Sequence, residues 1–242
     1  MPLIDPVTMS STTASPKASS PIEVLPKDIS RIVSQAHPAL LLAAYYMRFP
    51  SFVVDPVSTL LSSLLPLAVI QIGYTVICLP PAGTSTKATK KPKPGASKKG
   101  LETPTSGPLT AFIALTLTIL SSPILFAIQI LFGAPLTTHL PHTILSSLHI
   151  ALLTIFPLVY VHGTDAGKWR EIASFYSPID EVFGGAVGCL LGAWMGAVPI
   201  PLDWDREWQK WPVTIVTGAY MGYVAGILVG AWLLKGKRIE LD

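Results

Sequence analysis

Three carboxylates at alternate positions, Asp203, Asp205 and Glu207, lie inside the stretch PIPLDWDREWQKWP that runs from Pro199 to Pro212. In an extended segment alternate side chains share one side, so the three could converge on a metal ion and serve phosphoryl transfer. The stretch lacks the glycine and the distal glutamate of a calcium-binding loop, and no second acidic or histidine cluster lies beside it in the chain. Arg206 and Lys210 are placed to neutralise the same acids, and Trp204, Trp208 and Trp211 suit an aromatic belt at the level of lipid headgroups. The expected reading is a structural loop at a membrane surface, with a catalytic loop as the alternative. Pro199, Pro201 and Pro212 bound and punctuate it.

The histidines offer less. His139 and His142 form an HxxH pair and His149 follows one heptad later, but no acid accompanies them to complete a zinc site. They are expected to be packed or interfacial. His162 and Asp165 fall in the loop HGTDAGKWREIASFYSP, expected to be solvated, with no nucleophile elbow or phosphate-cradling glycines. Asp180 and Glu181 follow Ser177 and Pro178 at the start of an apolar run. A helix start explains them: Ser177 as cap, Pro178 in the first turn, and both acids at the positive end of the helix dipole. Cys78 and Cys189 sit in apolar runs with no CxxC spacing, so packed thiols are expected. Nothing in these constellations calls for a metal or another cofactor.

The elements that must carry these residues are membrane spans. Half of the 242 residues are hydrophobic and only 13% are charged, against about 25% in soluble domains. The apolar residues gather in six runs: 37–54, 56–79, 108–132, 142–161, about 179–200 and about 212–234. At about 1.5 Å per residue, roughly 20 residues cross a hydrocarbon layer of about 30 Å. The predicted fold is an all-α polytopic bundle of about six transmembrane helices, with a membrane domain over 37–236. Asp55 and Pro56 signal the start of the second span. Pro123 predicts a kink in the third, its freed carbonyl open to serine hydroxyls.

Residues 1–36, rich in Ser, Thr and Pro, are expected to form a disordered leader. The leader lacks the apolar core of a cleavable signal peptide, which leaves targeting to the first span as an uncleaved anchor. Residues 80–107, rich in Lys and Pro, are expected to be a flexible loop, and 237–242 a tail. With six spans, every Lys and Arg except Arg48, Arg206 and Lys210 falls on the side of the two termini. The excess of basic residues on cytosolic faces then places both termini in the cytosol and the 199–212 loop in the lumen. A net charge of only +3, segregated in this way, argues against a nucleic-acid partner.

The last two spans carry matching stripes: Gly184, Gly188, Gly192 and Gly196, then Gly218, Gly222, Gly226 and Gly230. A four-residue repeat keeps such positions nearly aligned on a helix, and in lipid these small-residue grooves mark close packing. The stripes could receive a separate membrane subunit. The short loop between the two spans makes them antiparallel neighbours, which favours packing on each other.

The run FYSPIDEVFGGAVGCLLGAWMGAVPIPLDWDREWQKWPVTIVTGAYMGYVAGILVGAWLL resembles the C-terminal signature of the PIG-F family of glycosylphosphatidylinositol (GPI) biosynthesis proteins. Looser similarity lies in DPVSTL, LPLAVIQIGY and LLTIFPLVY, so the resemblance spans roughly residues 38 to 236. It implies a multi-span protein of the endoplasmic reticulum membrane that is itself not the catalyst. Proteins of this family associate with and stabilise ethanolamine phosphate transferases, whose lumenal, metal-dependent domains add phosphoethanolamine to mannoses of the anchor precursor. The implied partners are those transferases and membrane lipids, the GPI precursor among the candidates. Two other readings stay open: a lipid phosphotransferase built on Asp203, Asp205 or Glu207, and a lipid transporter using Gln71 and Gln129, the few polar residues inside the spans.

Overall fold

A computed structural model describes residues 19–84 and 106–238. Most of the expected Lys-rich loop, half of the expected leader and the last four residues lie outside the described residues. Every regular element among them is helical: α1 (Asp28–Val54), α2 (Pro56–Cys78), α3 (Gly107–Leu131), α4 (Leu140–His162), α5 (Ala166–Ala173), α6 (Glu181–Met195) and α7 (Val213–Leu228). A π-helical turn, Val229–Leu233, prolongs α7. The helices α2, α3, α4 and Val213–Leu233 are long and apolar enough to cross a bilayer, and α6 is a shorter apolar helix.

The centre of the bundle is α4. About 83% of its apolar stretch is buried, against 22% for α3 and 28% for α2, so α4 is the column on which the others lean. It packs on α2, α3 and α6, and α1 packs on α2 and α7. Between α3 and α4, the amide of Gln129 donates to Ser147 Oγ (2.7 Å) and accepts from Ser146 Oγ (2.8 Å), satisfying both of its ends away from water. The helix α3 continues through Pro123. The ring removes the donor that Ile119 O would have used, and Ser122 Oγ donates to that carbonyl instead (2.9 Å).

The two glycine stripes face one another in a strict antiparallel register. A methyl group built on Gly188 would lie 2.2 Å from Gly222 O, one on Gly192 2.1 Å from Gly218 O, and one on Gly184 2.6 Å from Gly226 O. The ends of the seam pair Gly196 with Thr214 O and Gly230 with Asp180 O. No side chain larger than hydrogen fits at these crossings, so the stripes are spent on each other.

Several boundaries differ from the sequence expectation. The first helix starts at Asp28 rather than His37, because Ser30 Oγ donates to Ile77 O (2.6 Å) and Cys78 Sγ donates to Ser30 O (3.3 Å), clamping its first turn to the end of α2. The chain before it, expected as part of a disordered leader, crosses the same end of the bundle: Leu25 N donates to Cys78 O (2.8 Å) and Ile22 N to Asp180 Oδ2 (2.8 Å). The loop after α4 holds a helix, α5, because Asp165 accepts from the backbone N–H groups of Gly167 (2.8 Å) and Lys168 (3.2 Å). The fifth apolar run is α-helical only from Glu181 to Met195, then tightens into i→i+3 bonds such as Val198 N to Met195 O (3.1 Å).

Candidate functional site

The loop between α6 and α7 is organised by a residue that sequence reading passed over. Gln209 is buried. Its Nε2 donates to Pro199 O and Leu202 O (both 2.8 Å), and its Oε1 accepts from Arg206 N (2.8 Å). One side chain thus closes the loop on itself. On the far side Trp211 Nε1 donates to Thr143 Oγ1 at the start of α4 (3.2 Å), and Trp208 and Trp211 pack against the core.

The carboxylates do not assemble into a site. Glu207 pairs with Lys210, whose ammonium holds the Glu207 carboxyl below the ordinary range. Asp203, Asp205 and Arg206 are exposed and make no ion pair among the described residues. The expected neutralisation therefore holds for Glu207 alone, and Arg206 uses its backbone rather than its guanidinium in the loop. Asp205 sits at φ 49°, in the left-handed region that Asp tolerates, and this turns the chain between the two aspartates. Among the described residues no three His, Cys, Asp or Glu side chains gather as a metal-ligand set. Trp204 remains 55% exposed beside Trp208, with ring centroids 5.9 Å apart.

At the other end of α6 the cap is Asp180 and not Ser177. Asp180 is buried, and its Oδ1 accepts from Val182 N (2.9 Å) and Phe183 N (2.8 Å). The helix begins no earlier because Ile179, just before the cap, is tied to the C-terminal segment: Ile179 N donates to Lys237 O (2.8 Å) and Gly236 N to Ile179 O (2.7 Å). Through Ile22, Asp180 also fastens the N-terminal segment, so one carboxylate joins the start of α6 to a residue 158 positions away in the chain.

The histidines separate. His139 and His142 touch edge to face at 5.0 Å, while His149 is buried with Nδ1 2.9 Å from Tyr220 Oη and Nε2 3.0 Å from Leu60 O. A further polar group that sequence reading did not assemble lies between α1, α2, α6 and α7. His37 stacks on Tyr74 (4.1 Å), Tyr223 donates to Gln71 Oε1 (3.4 Å), and Tyr74 donates to Glu181 Oε2 (3.2 Å). The available signal was five polar residues each set within an apolar run. Cys78 and Cys189 are buried free thiols.

The loop, its glycine-seamed hairpin and the α2–α4 core fall within residues 36–231, which match the GPI biosynthesis protein family Pig-F. The chain belongs to the Pig-F family. The GPI anchor biosynthesis protein 11 of Neurospora crassa is 44% identical, over 98% of this chain and all of its own length. Its namesake in Pyricularia oryzae is 43% identical, over 97% of both chains. A more distant relative from Mus musculus, 28% identical over 79% of this chain and 86% of its own, is named the stabilizing subunit of GPI ethanolamine phosphate transferase. No solved structure matches. As a Pig-F member, the chain is a GPI-biosynthesis protein built as a helical membrane bundle.

Proposed function

We propose that this Pig-F member is a non-catalytic membrane subunit that binds and stabilises ethanolamine phosphate transferases of GPI-anchor assembly. The observation that carries the reading is the α6–α7 loop. Gln209 and Trp211 hold its frame, while Trp204, Asp203, Asp205 and Arg206 face outward without an ion pair within the described residues. A fixed loop that displays an aromatic ring and unpaired charges suits recognition by another protein, because little ordering remains to be done on binding. The name of the mouse relative supports the identity of that partner.

In this reading α1 and α6 also cross the bilayer, giving six spans in the endoplasmic reticulum membrane with both termini cytosolic and the loop lumenal. The positions of Lys17, Lys168, Arg170, Lys235 and the Lys-rich loop support that orientation. Deleting the gene should lower the abundance of the transferases, and the tagged protein should copurify with them in mild detergent. Unchanged transferase level and activity in the deletion strain would sink the proposal. The phosphotransferase alternative makes the opposite forecast: alanine at Asp203, Asp205 or Glu207 would abolish turnover while the complex stayed intact.

A further inference from the structure

A cleft of about 460 Å³, its open mouth included, lies between α1, α2, α4 and α7. That volume counts the open mouth, so the feature is a groove along the bundle surface and not an enclosed cavity. Its walls are aliphatic and aromatic, with Leu41 and Phe52 from α1, Leu60 and Leu67 from α2, and Val216 from α7. The cation at its edge is Arg48, which is exposed and hydrogen-bonds Ser62. Arg48 makes no ion pair among the described residues. Asp55 is the only acid between Ile29 and Cys78, and its carboxylate is occupied in capping α2 through Ser58 N (3.2 Å).

Arg48 precedes the end of α1 at Val54 by six residues, about 9 Å along the helix. With α1 crossing the membrane as proposed above, on which this inference rests, that depth is just inside the headgroup layer. An uncompensated guanidinium there, beside an apolar cleft, matches a phosphodiester followed by a hydrocarbon chain. Arginine binds such oxygens through paired N–H groups and holds its charge at every physiological pH. Ser63 and Arg48 are both among the residues that line the cleft.

We infer that this cleft is a phospholipid site, with one acyl chain between α1 and α2 and the phosphodiester on Arg48. The test uses the full-length protein in phosphatidylcholine vesicles doped with phosphatidylcholine that carries a diazirine in one acyl chain. Photolabelling should concentrate on peptides of α1 and α2 that line the cleft. Arg48→Gln should lower it about tenfold, the loss expected for charge-assisted bonds to a phosphate. Arg48→Lys should retain most of it, and Arg31→Gln, at the other end of α1, should leave it unchanged. Ala44→Phe, which fills the cleft from its wall and leaves Arg48 in place, should displace the label if Arg48→Gln fails to fold.

Labelling spread evenly over the outer faces of all helices, or insensitive to Arg48→Gln, would overturn the inference. So would equal cleft labelling by a diazirine diacylglycerol, which lacks the phosphodiester, or complete protection by inorganic phosphate, which would make this a free-anion site. A glycosylation acceptor inserted beside Asp55 reports separately on whether the α1–α2 turn is lumenal. An unmodified acceptor with Arg48-dependent labelling retained would discard the span assignment and keep the cleft.

Discussion

Asp180 and Gln209 do at single positions what longer motifs do elsewhere. Asp180 accepts three backbone N–H groups in a buried place, two at the start of α6 and one from Ile22. Removing its carboxylate leaves all three donors unpaired, so Asp180→Ala should destabilise the protein by about 2–4 kcal/mol. Asp180→Asn keeps one oxygen for the helix but offers N–H groups to Ile22, and should fall between Ala and wild type. Thermal unfolding of the detergent-solubilised protein checks both. Gln209→Ala removes the three bonds that close the α6–α7 loop, and Gln209→Glu removes the two donors toward Pro199 and Leu202. Both should speed proteolysis within 199–212, with a smaller stability loss of about 1 kcal/mol because water can reach the loop.

At the scale of elements, the α6–α7 hairpin is one backbone-to-backbone unit. Adding a methyl group at Gly188 or Gly222 puts carbon about 2.1–2.2 Å from a facing carbonyl oxygen, which only separation of the helices relieves. Gly188→Ala and Gly222→Ala should each cost about 1–3 kcal/mol, and Gly188→Leu should prevent a stable fold. Gly73, in α2, has open space where a methyl group would sit, with nothing within 4 Å, so Gly73→Ala should be neutral or stabilising by up to about 1 kcal/mol. Melting curves of the four variants side by side separate seam crowding from a general dislike of glycine replacement. The Gln129 clasp joins α3 to α4 differently, through two satisfied hydrogen bonds, and α3 is correspondingly free to show most of its surface to lipid.

For the whole molecule, the consequence is a division between a fixed hairpin and a displayed loop. Asp203→Ala and Trp204→Ala touch neither Gln209 nor the glycine seam. They should reduce copurification of the transferase severalfold while leaving the protein's own melting temperature within a degree or two, because exposed positions contribute little to folding. Trp211→Ala should lose both, since its indole ties the loop to α4 through Thr143. Pull-down yield set against melting temperature for the three variants distinguishes a recognition surface from a structural one.

Composition and period alone marked the helical membrane character, both ends of four of the six runs to within a few residues, and the small-residue faces of the last two spans. Those are properties of a solvent and of a single helix: lipid demands long apolar runs with satisfied backbones, and a four-residue glycine repeat must form a stripe. Which surface each stripe meets, that Asp180 rather than Ser177 caps α6, that Asp28 rather than His37 opens α1, and that Trp211 ties the loop to α4 all depend on residues distant in the chain. Ile22, Ile77, Lys237 and Thr143 supply those partners. A hydrogen bond across 47 to 158 residues leaves no local pattern, because either partner alone reads as an ordinary polar or apolar position. Only the packed tertiary structure, which excludes water from both groups and forces them to satisfy each other, selects the pair.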